Sequence, residues 1–288
     1  MVVFPYKVMY ALLISGLSAI IVFLALYFGD FSAWGWALFF SALAFAGCNL
    51  LIGKIVGNRV KAIAEQIQAN MLQAQKRMQE RMNVWRHRPP GSLKQAQLEL
   101  QKFQHAAIAD ALSASSAMEK FRNWAPLMSR QIATMRMQLH YQDRNWKEVD
   151  ALLPKCIVFD PMTAAMAIAR TYMRDGYHHE KDKKGRLKPN DIDRRFERGS
   201  ARLRYGQGAL LFGLYAWIQN QSGDPDAALE TLLRADRKME NATIKRNIEL
   251  LRNNKPKQFS LAGLGDEWYA LGLEEPRMRA PRSHERPF

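Results

Sequence analysis

ALLFGLYAWIQNQSGDPDAALETLLRADRKMEN, from Ala209 to Asn241, is the stretch on which the reading of this chain turns. An apolar helix-forming run stops at Gly223, Asp224 follows, and Pro225 opens a second run in which Ala228, Leu232 and Ala235 recur at spacings of four and three. Glycine supplies the left-handed cap after one helix, and proline fits the first turn of the next. The sequence therefore predicts two antiparallel helices joined by a tight turn, with small residues where they cross.

A second stretch repeats the plan less cleanly. Counting back from Pro161, a first helix is expected over RQIATMRMQLHYQ from Arg130, a turn at DRNW, and a second helix over KEVDALLPKCIVFD, ending at Asp160. Trp146 holds the aromatic position just after the turn, and Val149, Leu153 and Cys156 hold the inward positions of the second helix. Arg144 stands where a turn glycine is usual, and Pro154 should kink the helix by removing a backbone hydrogen bond.

Both stretches resemble the tetratricopeptide repeat family, whose unit is a helix pair of about 34 residues with a terminal proline. Glu240 replaces that proline in the second stretch. An unrelated helical hairpin is the plainer alternative for each. Met162 to Asp175 reads as the first helix of a further unit, its partner displaced by a charged insertion near 177–200 within GYHHEKDKKGRLKPNDIDRRFERGSARLR. ATIKRNIELLRNN, from Ala242, reads as a capping helix that shields the last apolar face. FSLAGLGDEWYALGLEEP, with Trp268, Tyr269, Leu271 and Leu273, should fold back over the array or dock on another protein, because so much apolar surface would otherwise be exposed.

Ahead of this region the composition changes. The runs 8–29 and 31–53 carry no charged residue over 22 and 23 positions. Each is long enough to cross a bilayer, which takes about 20 apolar residues as a helix. A buried helical pair is the alternative. Tyr27, Trp34 and Trp36 lie where interfacial aromatics are expected. Lys7 precedes the first run, Lys54, Arg59 and Lys61 follow the second, and the connection lacks Lys or Arg. That pattern puts both termini on the cytoplasmic side and gives Lys54, Arg59 and Lys61 a membrane-surface role. Cys48 in a span and Cys156 in a helical pattern imply no disulfide framework.

From Arg59 a polar helix follows in which Ala64, Ile67, Met71, Ala74, Met78, Met82 and Trp85 form a stripe. It suits either coiled-coil pairing or packing on the chain's own domain. Lys54 to Pro90 holds eight Lys and Arg against two Glu, a bias suited to anionic headgroups or simply to a solvated face. RHRPPGS, Arg86 to Ser92, ends that helix, and Ser92 with Gln95 makes a capping box for the next. The expected architecture is all-α: a transmembrane helical hairpin (1–57), a basic juxtamembrane helix and Pro-rich linker (58–91), a short tetratricopeptide-like α-solenoid (92–259), and an aromatic segment with a basic tail (260–288).

The sequence lacks the phosphate-binding, dinucleotide-binding and nucleophile-elbow motifs GxxxxGK[ST], GxGxxG and GxSxG. An enzyme is not expected, and no cofactor is implied. His178 and His179 with Glu180 and Asp182 have no metal-ligand spacing, so no metal is expected. The net charge of +15 invites nucleic acid, yet topology accounts for part of it and no RNA-binding signature is present, so nucleic acid is not an expected partner.

The resemblance implies a groove lined by the first helix of each unit. It would present Arg136 and His140, then Arg170 and Arg174, then Phe212, Tyr215 and Gln219, the arginines favouring an acidic segment or C-terminal carboxylate. The layout also resembles bacterial inner-membrane assembly proteins. The expectation is a membrane-anchored cytoplasmic scaffold that recruits other subunits of an envelope complex, with membrane lipids and a second copy of itself as further partners. The alternative is a structural subunit assembled through its hairpin, where Ser15 and Ala19, and Ala42 and Ala46, allow close helix contact.

Overall fold

The computed structural model describes residues 10–28, 34–87, 93–125, 127–158, 160–179 and 188–275. Among these residues every regular element is helical. The chain divides into two compact units, Met1–Ile157 and Val158–Phe288.

In the first unit, α1 (Tyr10–Phe28) lies against α2 (Trp34–His87). At 1.5 Å per residue, the 54 residues of α2 span about 80 Å without a break. α3 (Leu93–Ser116) and a 3₁₀ turn (Ala117–Phe121) pack on the polar half of α2, and α4 (Met128–Gln142) packs on α3 and on that turn. Their core joins Val56 and Ile67 of α2 to Ile108 and Ala111 of α3, Met118, and Ile132 and Leu139 of α4. The stripe on α2 therefore serves the chain's own domain: Ala64, Ile67 and Met71 belong to this core. Ala74 and Met78 line a cavity with Phe103 and Ala107 of α3. Arg81 pins the same pair of helices, donating to Glu99 at 3.2 Å and lying over the Phe103 ring. The proposed capping box at Ser92 lies outside the described residues.

α5 (Trp146–Leu152) corrects the expected long second helix. It is seven residues long, and Pro154 turns the chain into a 3₁₀ segment (Leu153–Lys155), after which Cys156 is extended. Val149 and Leu153 are buried as expected, but Cys156 leaves the helix and donates to the Leu152 carbonyl. Arg144 takes the left-handed conformation, φ 55°, at the position where glycine would be easier. Trp146 meets Tyr141 edge to face at 5.2 Å.

The second unit begins with α6 (Pro161–Asp175). Asp160 caps it, accepting from the Thr163 N–H at 3.0 Å, and Pro161 occupies the first turn. Pro161 thus opens α6 and does not close α5. The charged insertion contains α7 (Asp191–Ser200), started by a capping box between Asn190 and Asp193. α7 packs on α6 and on α8 (Ala209–Gln221), with Ile192 and Phe196 buried. A Cβ on Gly199 would sit 3.1 Å from both Ala164 of α6 and Leu211 of α8, so the crossing requires glycine or a shift of its neighbours.

α8 is buried from Leu210 through Gln219, the pattern of a central helix. Gly223 (φ 85°), Asp224 accepting from Ala227 N–H at 2.9 Å, and Pro225 lead into α9 (Pro225–Asp236). Ala228, Leu232 and Ala235 are fully buried against α8. α10 (Ala242–Arg252) covers α9. The segment after it folds back: buried Asn247 donates to the Ser260 carbonyl and accepts its N–H, at 2.8 and 3.0 Å. Trp268, in the short α11 (Asp266–Tyr269), packs on Trp217. Both indole N–H groups donate to the Glu274 carboxylate, at 3.0 and 2.9 Å.

Candidate functional site

Two features bear on function: the apolar helices α1 and α2, and the polar positions expected to line a groove. α1 and the first part of α2 are both long and apolar enough to cross a membrane, and little of either is buried. Their mutual contact uses small side chains. Ala11, Ser15, Ala37 and Ser41 are buried, and Val22 and Leu26 share a cleft with Phe40 and Leu43. Of the small residues expected to allow close helix contact, Ser15 is buried and Ala19 half-buried, while Ala42 and Ala46 are exposed on the outer face of α2. Ser18 and Ser41 satisfy their hydroxyls on carbonyls of the preceding turn at 2.8 Å. Of the basic residues at the end of the apolar run, Lys54 and Arg59 are exposed and Lys61 faces Glu65 at 3.6 Å.

The groove positions separate by burial. Phe212 is fully buried and Gln219 is 7% exposed, its carbonyl accepting from the Thr231 hydroxyl at 2.8 Å. Tyr215 is buried, stacks on Phe196 at 4.0 Å and donates to Asp193 at 2.9 Å. Phe196 also meets Phe212 edge to face. These contacts correct the expected open surface: α7 covers the face of α8 that the groove would have used. Burial is the main reason that the Tyr215 hydroxyl is pushed up in pKa and that Tyr177, 3.1 Å from Asp193, is pushed up to about 12.

Arg136 pairs with Glu119 at 3.0 Å and His140 is buried, its Nδ1 without a hydrogen-bond partner. On α6, Arg170 is half-buried, and exposed Arg174 holds Asp175 through two nitrogens at 2.8 and 2.7 Å. That guanidinium holds the Asp175 carboxyl below its ordinary pKa. Arg170 and Arg174 thus remain at the surface, one turn apart on α6.

His179 Nδ1 stands 3.2 Å from the Lys188 carbonyl and 3.6 Å from Asp193, while Glu180 and Asp182 lie outside the described residues. Among the described residues no group of His, Cys, Asp and Glu is arranged to hold a metal ion. Sequence reasoning missed the tie between the start of α1 and the helical domain. The Tyr10 N–H donates to the Asn123 carbonyl at 3.1 Å, and its ring meets Trp124. An aromatic at each end of that contact was the available signal. Comparison with family models, curated proteins and solved structures finds no match to this chain.

Proposed function

We propose that this chain is a membrane-anchored helical scaffold. α1 and the apolar part of α2 form a hairpin in the bilayer, and the helices beyond it offer surfaces to other protein subunits. The observation that carries the reading is the outward face of the apolar helices: Leu17 is 62% exposed, Ile21 58%, Leu43 58% and Leu50 75%. A core helix would bury such side chains, each stabilised by roughly 1.5–3 kcal/mol on leaving water, so their surroundings here are lipid or neighbouring apolar helices. Because α2 runs unbroken into the core of the first unit, the anchor and that unit move as one piece.

Lys54, Arg59 and Lys61 support a cytoplasmic position for the helical region, in the inner membrane of a bacterium. The turn at Gly223 and the buried Ala228, Leu232 and Ala235 support reading α8 and α9 as a tetratricopeptide-like pair. Among the groove positions, Arg170 and Arg174 lie at the surface of α6, Arg174 holding Asp175, and their cationic charge suits an acidic partner. The exposure of Ala42 and Ala46 favours a second reading, in which neighbouring transmembrane helices pack on that face and assembly runs through the hairpin.

Affinity capture of the tagged full-length chain in a mild neutral detergent, with mass spectrometry, separates the two. Loss of captured subunits in Arg170→Glu/Arg174→Glu with retention in Ala42→Leu/Ala46→Leu supports the scaffold. The reverse pattern supports assembly through the hairpin. Capture of nothing by the wild type contradicts both.

A further inference from the structure

A cavity of about 400 Å³ opens on the first unit between α4, the 3₁₀ turn before it and the segment around Pro154. Arg122, Arg130, Arg136 and Lys155 line it, with Glu119 as its acidic member. Glu119 faces Arg136 at 3.0 Å and Arg122 at 3.9 Å, leaving the lining net positive. Among the described residues no carboxylate pairs with Arg130 or Lys155, and Arg136 Nε is buried with no hydrogen-bond partner. The surplus is cationic and arginine-rich, the chemistry that binds phosphate oxygens through paired N–H donors.

The cavity's walls are fixed in place. Thr134 of α4 accepts the Ile157 N–H at 2.9 Å, and its hydroxyl lies 2.9 Å from the Arg130 carbonyl and 3.3 Å from that of Ile157. This clasp holds the Lys155 segment against α4, while Pro154 sets the turn that brings Lys155 to the rim. Position is the second line of argument. Asn123, next to Arg122, accepts the hydrogen bond from Tyr10 at the first residue of α1, and Trp124 meets the Tyr10 ring. If α1 enters the bilayer at Tyr10, the Arg122 rim stands at the headgroup layer.

We infer that this cavity is a binding site for a phosphate group, supplied either by the headgroup of an anionic phospholipid or by a free phosphate. The lipid source rests on the membrane reading above; the phosphate chemistry does not. A phosphoryl group seated between Arg130 and Lys155 would tie α4 to the bilayer surface.

The test uses the full chain in a neutral detergent, with the thermal unfolding midpoint read while phosphatidylglycerol, phosphatidylcholine or inorganic phosphate is titrated in. Arg130→Gln/Lys155→Gln is compared with Lys76→Gln/Arg77→Gln, a change of equal charge on α2. The expected result is a saturable rise with phosphatidylglycerol that phosphatidylcholine does not produce. The cavity variant should weaken it about ten- to a hundredfold, as the loss of one or two charge-assisted hydrogen bonds implies, and the α2 variant should leave it unchanged.

A rise with phosphatidylglycerol alone assigns the headgroup, and one with inorganic phosphate alone assigns a free ligand. No response to either, or an equal response in the cavity variant, overturns the inference. Fractionation of the same preparation keeps the two readings apart. A chain that stays with membranes but ignores both probes loses the cavity and keeps the anchor; a soluble chain that binds phosphate through Arg130 and Lys155 loses only the anchor.

Discussion

From Trp34 to about Gly53, α2 turns large apolar side chains outward, whereas from Lys54 to Trp85 the same helix is mostly polar outside and buries Val56 and Ile67 in the core it shares with α3 and α4. The backbone hydrogen bonding is continuous through both parts, so the difference lies in the surroundings each part requires. The second part is an amphipathic helix whose stripe from Val56 to Met71 is covered by its own domain, while Met82 farther along stays exposed. Among the described residues the first part packs mainly on α1, with Ile52 at its end reaching the domain core, and its remaining apolar surface suits the proposed bilayer. On the proposed membrane reading, one unbroken helix fixes the geometry between two media, and the contrast between its halves can be attacked from either side.

The largest effect is expected at Ile67, which with Val56 is buried in the polar half. Ile67→Ala should cost the first unit about 2–5 kcal/mol, read by urea unfolding in neutral detergent, while Leu50→Ala leaves that transition in place. Leu43→Arg is expected to weaken membrane insertion by about 2.5–3.5 kcal/mol, measured as the share of protein released from washed membranes, without changing the helical content of what is released.

Where the halves meet, Gly53 and Gly57 have open space around their missing Cβ atoms. Gly57→Ala should add about 0.5–1 kcal/mol by favouring continuous helix; a loss of stability there would argue for a bend between the halves. Smallest is Lys61→Ala, which removes an exposed pair with Glu65 and should shift stability by less than about 0.5 kcal/mol, although binding to anionic vesicles should fall modestly at low salt.

How much of this was legible in sequence depended on how local the signal was. The α8–α9 turn is written in three adjacent residues, Gly223, Asp224 and Pro225, each satisfying a terminal backbone requirement, and the structure uses all three. The α4–α5 turn is written more faintly: Arg144 accepts a left-handed conformation and Asn145 caps α5, but Pro154 shortens the second helix and removes Cys156 from it. α7 was hidden because charged residues surround its few apolar positions, Ile192 and Phe196, so the stretch reads as solvated. That omission misplaced the groove. The register put Phe212 and Tyr215 on a free face of α8, and only the packing of Phe196 against both rings shows that the face is already occupied. The apolar runs, by contrast, needed only length and the absence of charge.

The central claim is that the exposed apolar halves of α1 and α2 sit in a bilayer. Its most direct test is alkaline carbonate extraction of membranes from bacteria expressing the full-length chain, followed by immunoblotting of pellet and supernatant. The account predicts that the chain remains in the membrane pellet as an integral protein does; release of the bulk of it into the supernatant would contradict the account.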